Sequence, residues 1–277
     1  MNAFAADWLA LREAADHRAR DPRLRDAVTA HLAGRAHVAI VDLASGAGSN
    51  LRALAPFIAA DQSWRLVDHD DRLLAAARER IGDWADRQEP TDGAFFKGGR
   101  RIDVSFAVVD LARTPEQALD GDIDLVSAAA FFDLVSQQWI ERFCVALAAR
   151  RLPLYAVLTY TGSEVWTPPH PADAPALAAF HTHQGGDKGF GPAAGPNAAP
   201  LLTTALRRHG YLVSTAQSPW RLGRADKALI EATADGAAAA IAETGRLDTA
   251  IVEDWRLSRR RAVACEISHI DLFAIPA

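Results

Sequence analysis

The stretch HVAIVDLASGAGSNLRALAPFIAA constrains the fold of this chain more than any other part of it. HVAIVDL is a short aliphatic run rich in β-branched residues, ASGAGSN is a turn of small residues, and NLRALAPFIAA has helical period. Strand, glycine turn and helix form the opening unit of a parallel α/β sheet. Gly46 and Gly48 lack the Cβ that would keep a ligand away from the turn backbone. The pattern recurs. WRLVD reads as a strand and DRLLAAARERIGDWADR as a helix with Leu73, Leu74, Ala77, Ile81 and Trp84 at its apolar positions. DVSFAVVD, IDLVSAAAF and PLYAVLTYT read as further strands, with the helix SQQWIERFCVALAARR before the last of them. Their hydrophobicity is nearly continuous rather than alternating, so both sheet faces must be covered by helices. Alternation of strands with helices implies parallel pairing and right-handed crossovers.

The flanks have a different texture. AADWLALREAADHRARDP, with Phe4, Trp8, Leu9 and Leu11 among charges, predicts a helix ending before Pro22, and RLRDAVTAHLAG a second one stopped by Gly34. Residues 162–199 are rich in Pro, Gly and His and read as a long loop, the usual material of a lid or binding loop. A helix (LLTTALRRHG), a strand (YLVSTAQ), two Ala-rich helices at about 226–262 and a closing strand (ISHIDLFAIPA) follow.

Charge and cysteine content remove several function classes. Thirty Lys and Arg against 35 Asp and Glu give a net charge of −5, a poor balance for tracking a phosphate backbone. The two cysteines, Cys144 and Cys265, sit in apolar stretches and cannot build a disulfide framework or a Cys-rich zinc site. No apolar run is long enough for a bilayer, and Asp7, Arg12, Glu13 and Asp16 interrupt any signal-peptide core. A soluble, cytoplasmic protein is expected, with no membrane partner.

Three carboxylates sharpen the reading of the glycine turn. Asp42 closes the first strand, Asp68 the second and Asp110 the third, so all three fall at the carboxyl edge of the sheet, where ligands bind such folds. Asp68 can accept two hydrogen bonds from a ribose and Asp110 one from an exocyclic amine; capping the helix that follows is the alternative use of each. The dinucleotide fingerprint is incomplete, because Leu51 stands where its third glycine belongs, and no Lys-Ser/Thr pair follows the turn as a P-loop requires.

With these residues the chain resembles the class I S-adenosylmethionine (SAM)-dependent methyltransferases. Their D-x-G-x-G-x-G motif is matched by Asp42, Ala44, Gly46 and Gly48, with Ala44 in place of the first glycine. The acidic ends of the second and third strands are matched by Asp68 and Asp110, and the fourth-strand segment by Ile123-Asp124-Leu125-Val126-Ser127-Ala128. The resemblance covers roughly residues 35–160 plus the closing strand pair, and LVDHDDRLL, AFFDLVSQQWI and HQGGDKGFGPAAGP are similar to a bacterial subset of the family. It implies a Rossmann-like α/β fold: a seven-stranded mixed sheet, mostly parallel with the last strand antiparallel, helices on both faces, and a helical and loop lid. Residues 1–34 would be an N-terminal helical segment and 35–277 the SAM-binding domain, with the lid at about 162–199 and a helical insertion at about 224–262. It further implies that Gly46 and Gly48 approach the methionyl part, Asp68 holds the ribose and Asp110 the adenine. Ala44 and Leu111 belong to the same cofactor set, Ser127 and Ala128 border the methionyl amine, and Arg12 or Arg20 would reach the SAM carboxylate.

Methyl transfer from a sulfonium is an in-line displacement that needs alignment and water exclusion, and a base only for a weakly acidic nucleophile. No Asn/Asp-Pro-Pro-aromatic signature follows the fourth strand, which disfavours amino methylation of nucleic-acid bases. A small-molecule acceptor, largely apolar or aromatic, is expected from Trp166, Trp220 and Trp255 in the added segments. Phe131, Phe132, Tyr160, Trp166 and Lys188 are candidates for its pocket, and His181, His183 or Tyr160 for a catalytic group. His181 and His183 with Asp187 lack a firm third ligand, so no metal is expected. A nucleic-acid or protein methyltransferase, an NAD(P)-dependent oxidoreductase and a non-catalytic SAM-binding protein are the alternatives. Oligomeric state is not legible.

Overall fold

A computed structural model describes residues 6–277; Phe4, placed in the first predicted helix, lies outside the described residues. The chain begins with α1 (Ala6–Ala19) and α2 (Pro22–Leu32), the latter started by Pro22 and by Asp21, whose side chain accepts the Leu24 N–H. β1 (His37–Leu43), α3 (Ser49–Leu54), β2 (Asp61–Asp68) and α4 (Asp71–Trp84) follow. A short edge hairpin, β3 (Arg87–Gln88) and β4 (Phe95–Lys97), leads into β5 (Arg100–Val108). Next come β6 (Leu125–Ala129), α5 (Gln137–Ala149), β7 (Leu154–Thr167), α6 (Asp173–Gln184) and α7 (Ala198–Arg208). β8 (Tyr211–Gln217), β9 (Trp220–Leu222), α8 (Lys227–Glu243), α9 (Thr249–Arg260) and β10 (Ala264–Pro276) complete the chain.

Among the described residues, all strands belong to one sheet ordered β3-β4-β5-β2-β1-β6-β7-β10-β8, with β9 paired to β10. β5, β2, β1, β6 and β7 are mutually parallel, and β10 runs antiparallel between β7 and β8. The architecture is the expected Rossmann-like one, but the sheet has ten strands rather than seven. The three additions are two or three residues long and carry no periodic signal. They form because a neighbouring strand offers an unpaired edge: β4 lies on β5 (Phe95 opposite Ile102) and β9 on β10 (Ile267 opposite Trp220).

Two apolar layers cover the sheet. One face packs on α5 and α7, where Trp139, Ile140, Phe143, Cys144 and Leu147 are buried at helical spacing; the other packs on α2, α3 and α4. Each large apolar side chain so buried stabilises the fold by roughly 1.5–3 kcal/mol before entropy is counted. Both cysteines are buried apolar residues, and burial pushes the Cys144 thiol up to about 12.

A third apolar cluster gathers Trp166, Trp220, Trp255 and the alanines of α6 and α8. It exists because β7 continues through Thr167, pairing with β10 as far as Ala264. Residues 162–199 are thus not a continuous loop: the strand end and α6 occupy half of the segment, and the helical Ala and Leu pattern of DAPALAAF was obscured by its prolines. Among the described residues, no helix is long and apolar enough to cross a membrane.

Asp271 in β10 joins these parts. Its carboxylate, with no exposed surface, accepts the backbone N–H of Asp21 and that of Leu158, both at 2.9 Å. Leu158 lies inside β7 with φ +58°, so its N–H is turned out of the ladder and needs this acceptor. Replacing Asp271 with Ala would leave two buried donors unpaired and should lower stability by about 2–5 kcal/mol, measured by urea unfolding. A loss below 1 kcal/mol would remove Asp271 as the link between α2 and β7.

Candidate functional site

Strand order reverses at β1, which is flanked by β2 and β6, so a crevice opens at the carboxyl ends of these strands. The glycine turn fills its floor. Ala44, Gly46 and Gly48 all have left-handed backbones, with φ of +49°, +52° and +74°. Only two of the three are glycine, so Ala44 carries a strain of roughly 1–2 kcal/mol. A Cβ at Gly48 would lie 3.2 Å from Ile81 and 3.3 Å from Ala77, so this glycine lets α3 start against α4.

Asp42 is completely buried beneath the turn. Its Oδ1 accepts hydrogen bonds from Asn50 Nδ2 (2.5 Å) and Ser127 Oγ (3.1 Å), while Oδ2 has no protein partner. Burial raises its pKa to about 7 despite these two donors. Asp68, also buried, accepts the Gly46 N–H at 2.8 Å on Oδ2 and the Asp70 N–H at 3.1 Å on Oδ1, which fixes it against the turn. Asp110 is exposed and accepts the N–H groups of Ala112 and Arg113, so in this conformation it caps the turn after β5. Leu111 is buried, and its carbonyl accepts the Trp139 indole N–H. Ser127 and Ala128 are buried on β6 beside Asp42 and Leu43 of β1.

α1 covers this floor. Leu9 Cδ1 lies 3.0 Å from where a Cβ on Gly46 would stand. Glu13 holds both ends of the Arg52 guanidinium (2.8 and 2.6 Å), and His17 Nε2 meets Ser49 Oγ at 3.0 Å. Arg20 donates to Asn50 Oδ1 at 2.6 Å, so this residue joins the Asp42 network through Asn50. Arg12 is held by Asp16 and lies 4.9 Å above the Trp220 ring, which also gives its N–H to Asp16. Asn50 was not singled out in the sequence; a polar residue two positions beyond Gly48, on the inner side of a first helical turn, was its signal.

The acceptor candidates separate into groups. Phe131 and Phe132 are buried core residues, packed with Trp139, Phe143 and Phe190. Phe190 reaches that cluster from the glycine-rich stretch, whose turn is closed by Asp187 accepting the N–H groups of Gly189 and Gly191. Lys188 lies half-buried in the same turn. Trp166 is buried in the third cluster against Trp255. His181 and His183, expected in a loop, occupy the last turn of α6. They diverge: His183 meets Glu243 at 3.0 Å, whereas His181 Nε2 meets Tyr160 Oη at 3.0 Å. Tyr160 also donates to Glu164 at 3.3 Å. Burial pushes the Tyr160 phenol far above its ordinary range and lowers His181.

Two neighbouring groups, unforeseen in the sequence, face the same edge. Asp133 follows β6, and burial raises its carboxyl to about 6. His269 in β10 is pushed down to about 4, by burial first and by Arg12 second. Among the described residues, no group of three His, Cys, Asp or Glu side chains is arranged to hold a metal. A groove of about 440 Å³, lined by Ile140, Leu201, Thr204 and Arg208 among others, shares no residue with the glycine turn.

No family model and no curated protein matches the chain. Solved structures do. The YcgJ protein of Bacillus subtilis superposes with a TM-score of 0.51 at 12% identity, covering 92% of this chain and 99% of its own. A candidate methyltransferase from Bacillus halodurans gives 0.50 at 12% identity, covering 91% and 99%. At such identity the likeness establishes a shared Rossmann-like fold and nothing finer.

The turn geometry makes opposite demands at two positions. Ala44→Gly relieves left-handed strain but frees the unfolded chain, so thermal unfolding should show a change between zero and about 1 kcal/mol of stabilisation. Gly48→Ala adds strain and crowds Ile81, and should cost at least about 2 kcal/mol. Equal effects of the two substitutions would contradict the turn as described.

Proposed function

We propose that the chain is a SAM-dependent methyltransferase acting on a small molecule. The observation that carries this reading is the convergence of Asp42 and Asp68 on a left-handed glycine turn at the point where strand order reverses. The fold shared with the Bacillus halodurans protein supports it.

The residues suit the cofactor. Gly46 and Gly48 allow the left-handed turn to pack closely under Leu9 and against α4, and Asp42 Oδ2 beneath it is a buried acceptor with no partner in the protein. Asp68 is pinned by two N–H groups with lone pairs to spare for ribose hydroxyls. Gly46 and Gly48 would approach the methionyl part and Ser127 and Ala128 its amine. Asp110 would turn from its capping role to the adenine. Bound SAM supplies a methyl group already activated on a sulfonium. The chain orients it through the carboxylates, and α1 excludes water by seating Leu9 on the turn. Arg12 is engaged by Asp16, so contact with the SAM carboxylate would require it to share or exchange that partner.

Nucleic acid is disfavoured as acceptor by the fate of the basic run on α9. Arg256 and Arg260 are tied to Asp235, Glu253 and Glu231, and Arg259 is buried against Asp173 and Trp166. They offer no cationic stripe to a phosphate backbone.

Calorimetry with SAM, S-adenosylhomocysteine, NAD and NADP tests the cofactor; preference for either nicotinamide dinucleotide would defeat the reading. Asp68→Ala should weaken SAM at least tenfold, corresponding to loss of one or more charge-assisted hydrogen bonds. The state of Asp42 adds a pH signature. A sulfonium favours the ionised carboxylate, so binding should release a proton and tighten as pH rises toward 7, more for SAM than for S-adenosylhomocysteine, whose sulphur is uncharged. Affinity independent of pH between 5.5 and 8 would place Asp42 outside the site ~.

A further inference from the structure

Three buried polar atoms at the carboxyl edge have no partner in the protein and are not explained by the cofactor contacts. They are Asp133 Oδ1, on the turn after β6, Gln184 Oε1, at the end of α6, and His269 Nδ1, in β10. All three side chains belong to buried residues. They are linked: Gln184 Nε2 donates to Asp133 Oδ2 at 3.3 Å, and Asp133 also faces the backbone N–H of Tyr160. The Tyr160 ring lies 6.2 Å from that of His269, and Arg12 on α1 is close enough to act electrostatically on both Asp133 and His269. Four elements and a turn thus bring hydrogen-bonding groups to one place from different directions.

Burying an unmet carboxylate oxygen is expensive, and a fold that needed only packing could have placed an apolar side chain there. The backbone N–H groups of Asp133 and Tyr160 face the carboxylate without closing a hydrogen bond to Oδ1, and the neighbouring side chains supply no other donor. Tyr160 gives its hydroxyl proton to Glu164, and Gln184 spends its amide on the other oxygen of Asp133. Two of the three orphaned atoms are oxygens that can only accept from a ligand while Asp133 is ionised. The missing ligand must therefore present N–H or O–H groups.

We propose that Asp133, Gln184 and His269 line the acceptor chamber, and that it takes a small molecule whose nucleophilic atom is a hydroxyl or amine. This rests on the methyl-transfer reading. In the reaction, the acceptor oxygen or nitrogen bonds to the methyl carbon as the carbon–sulphur bond breaks. The electron pair of that bond stays on sulphur, and the acceptor's proton passes to Asp133 Oδ1. Asp133 is then the catalytic base, and Gln184 and His269 orient the donor group. Tyr160 and His181, the candidates taken from sequence, satisfy each other and form the wall behind.

The test uses the full chain saturated with S-adenosylhomocysteine, which prevents turnover, titrated calorimetrically with benzylamine and phenol as donors and with toluene and benzoate as matched controls. Benzylamine or phenol should bind, and Asp133→Asn and Asp133→Ser should each weaken it at least tenfold while leaving S-adenosylhomocysteine affinity within twofold, which also verifies the variants' fold. Toluene and benzoate should show no dependence on residue 133. Donor binding unchanged in both variants, or absent from the wild type, overturns the proposal with the cofactor reading intact. Failure of the wild type to bind S-adenosylhomocysteine instead overturns the methyl-transfer reading beneath it.

Discussion

A carboxylate with no solvent exposure sits under the turn on which the site depends. Asp42 costs the fold desolvation, and Asn50 and Ser127 offset only part of that cost, which is why its proton is released near neutrality. The two donors come from different elements, Asn50 from α3 and Ser127 from β6, so satisfying Asp42 fixes the helix that follows the turn and the strand across the crevice. Asn50 also receives Arg20 from the junction between α1 and α2. One buried charge thereby sets the relative placement of the N-terminal helices, the turn and the central strands.

The N-terminal helices are consequently part of the site rather than an appendage. α1 is amphipathic in an unusual sense: its inward side carries Glu13, Asp16 and His17 as well as Leu9, and each polar group finds a partner on the covered elements. The Glu13–Arg52 pair is largely shielded, with Arg52 almost entirely buried, so it specifies orientation more firmly than an exposed pair could. At the other end of the crevice, the extension of β7 and β10 raises the tryptophan cluster above the sheet edge. α6 and α8 then bury their alanine faces on it, and α9 its Val252 and Trp255. Roofing the edge from both sides is the structural prerequisite for excluding water from a displacement reaction.

What the sequence disclosed follows from which interactions are local. The strands of the sheet centre were legible because burial on both faces demands continuous apolar runs, and α5 because its buried residues recur at helical spacing. The turn and Asp42 and Asp68 were legible because backbone conformation and strand ends are encoded within a few residues. The edge hairpin was not, since its pairing is supplied by β5 and not by its own composition. Phe131 and Phe132 illustrate a second limit: an aromatic pair after a strand looks the same in sequence whether it faces a ligand or, as here, Trp139 and Phe143. Asn50, Asp133 and His269 were invisible as a set because their neighbours come from helices and strands far apart in the chain.

Buried aspartates in this fold divide by how completely the protein satisfies them. Asp271 is buried as deeply as Asp42, yet each of its oxygens receives a backbone N–H, from Asp21 and from Leu158, so its charge is absorbed by the architecture itself. Asp42 and Asp133 each keep one buried oxygen without a partner, and in both burial lifts the pKa toward neutrality. Residue type and burial are shared by all three, so neither feature separates a structural carboxylate from a functional one. The unfilled acceptor does. A fold gains nothing from leaving it empty, whereas a ligand bearing a cation or a donor hydrogen gains an interaction that water cannot contest. By that criterion the proposed methyl-transfer reading would have two places for ligand chemistry in the crevice, one beneath the glycine turn and one beside β7.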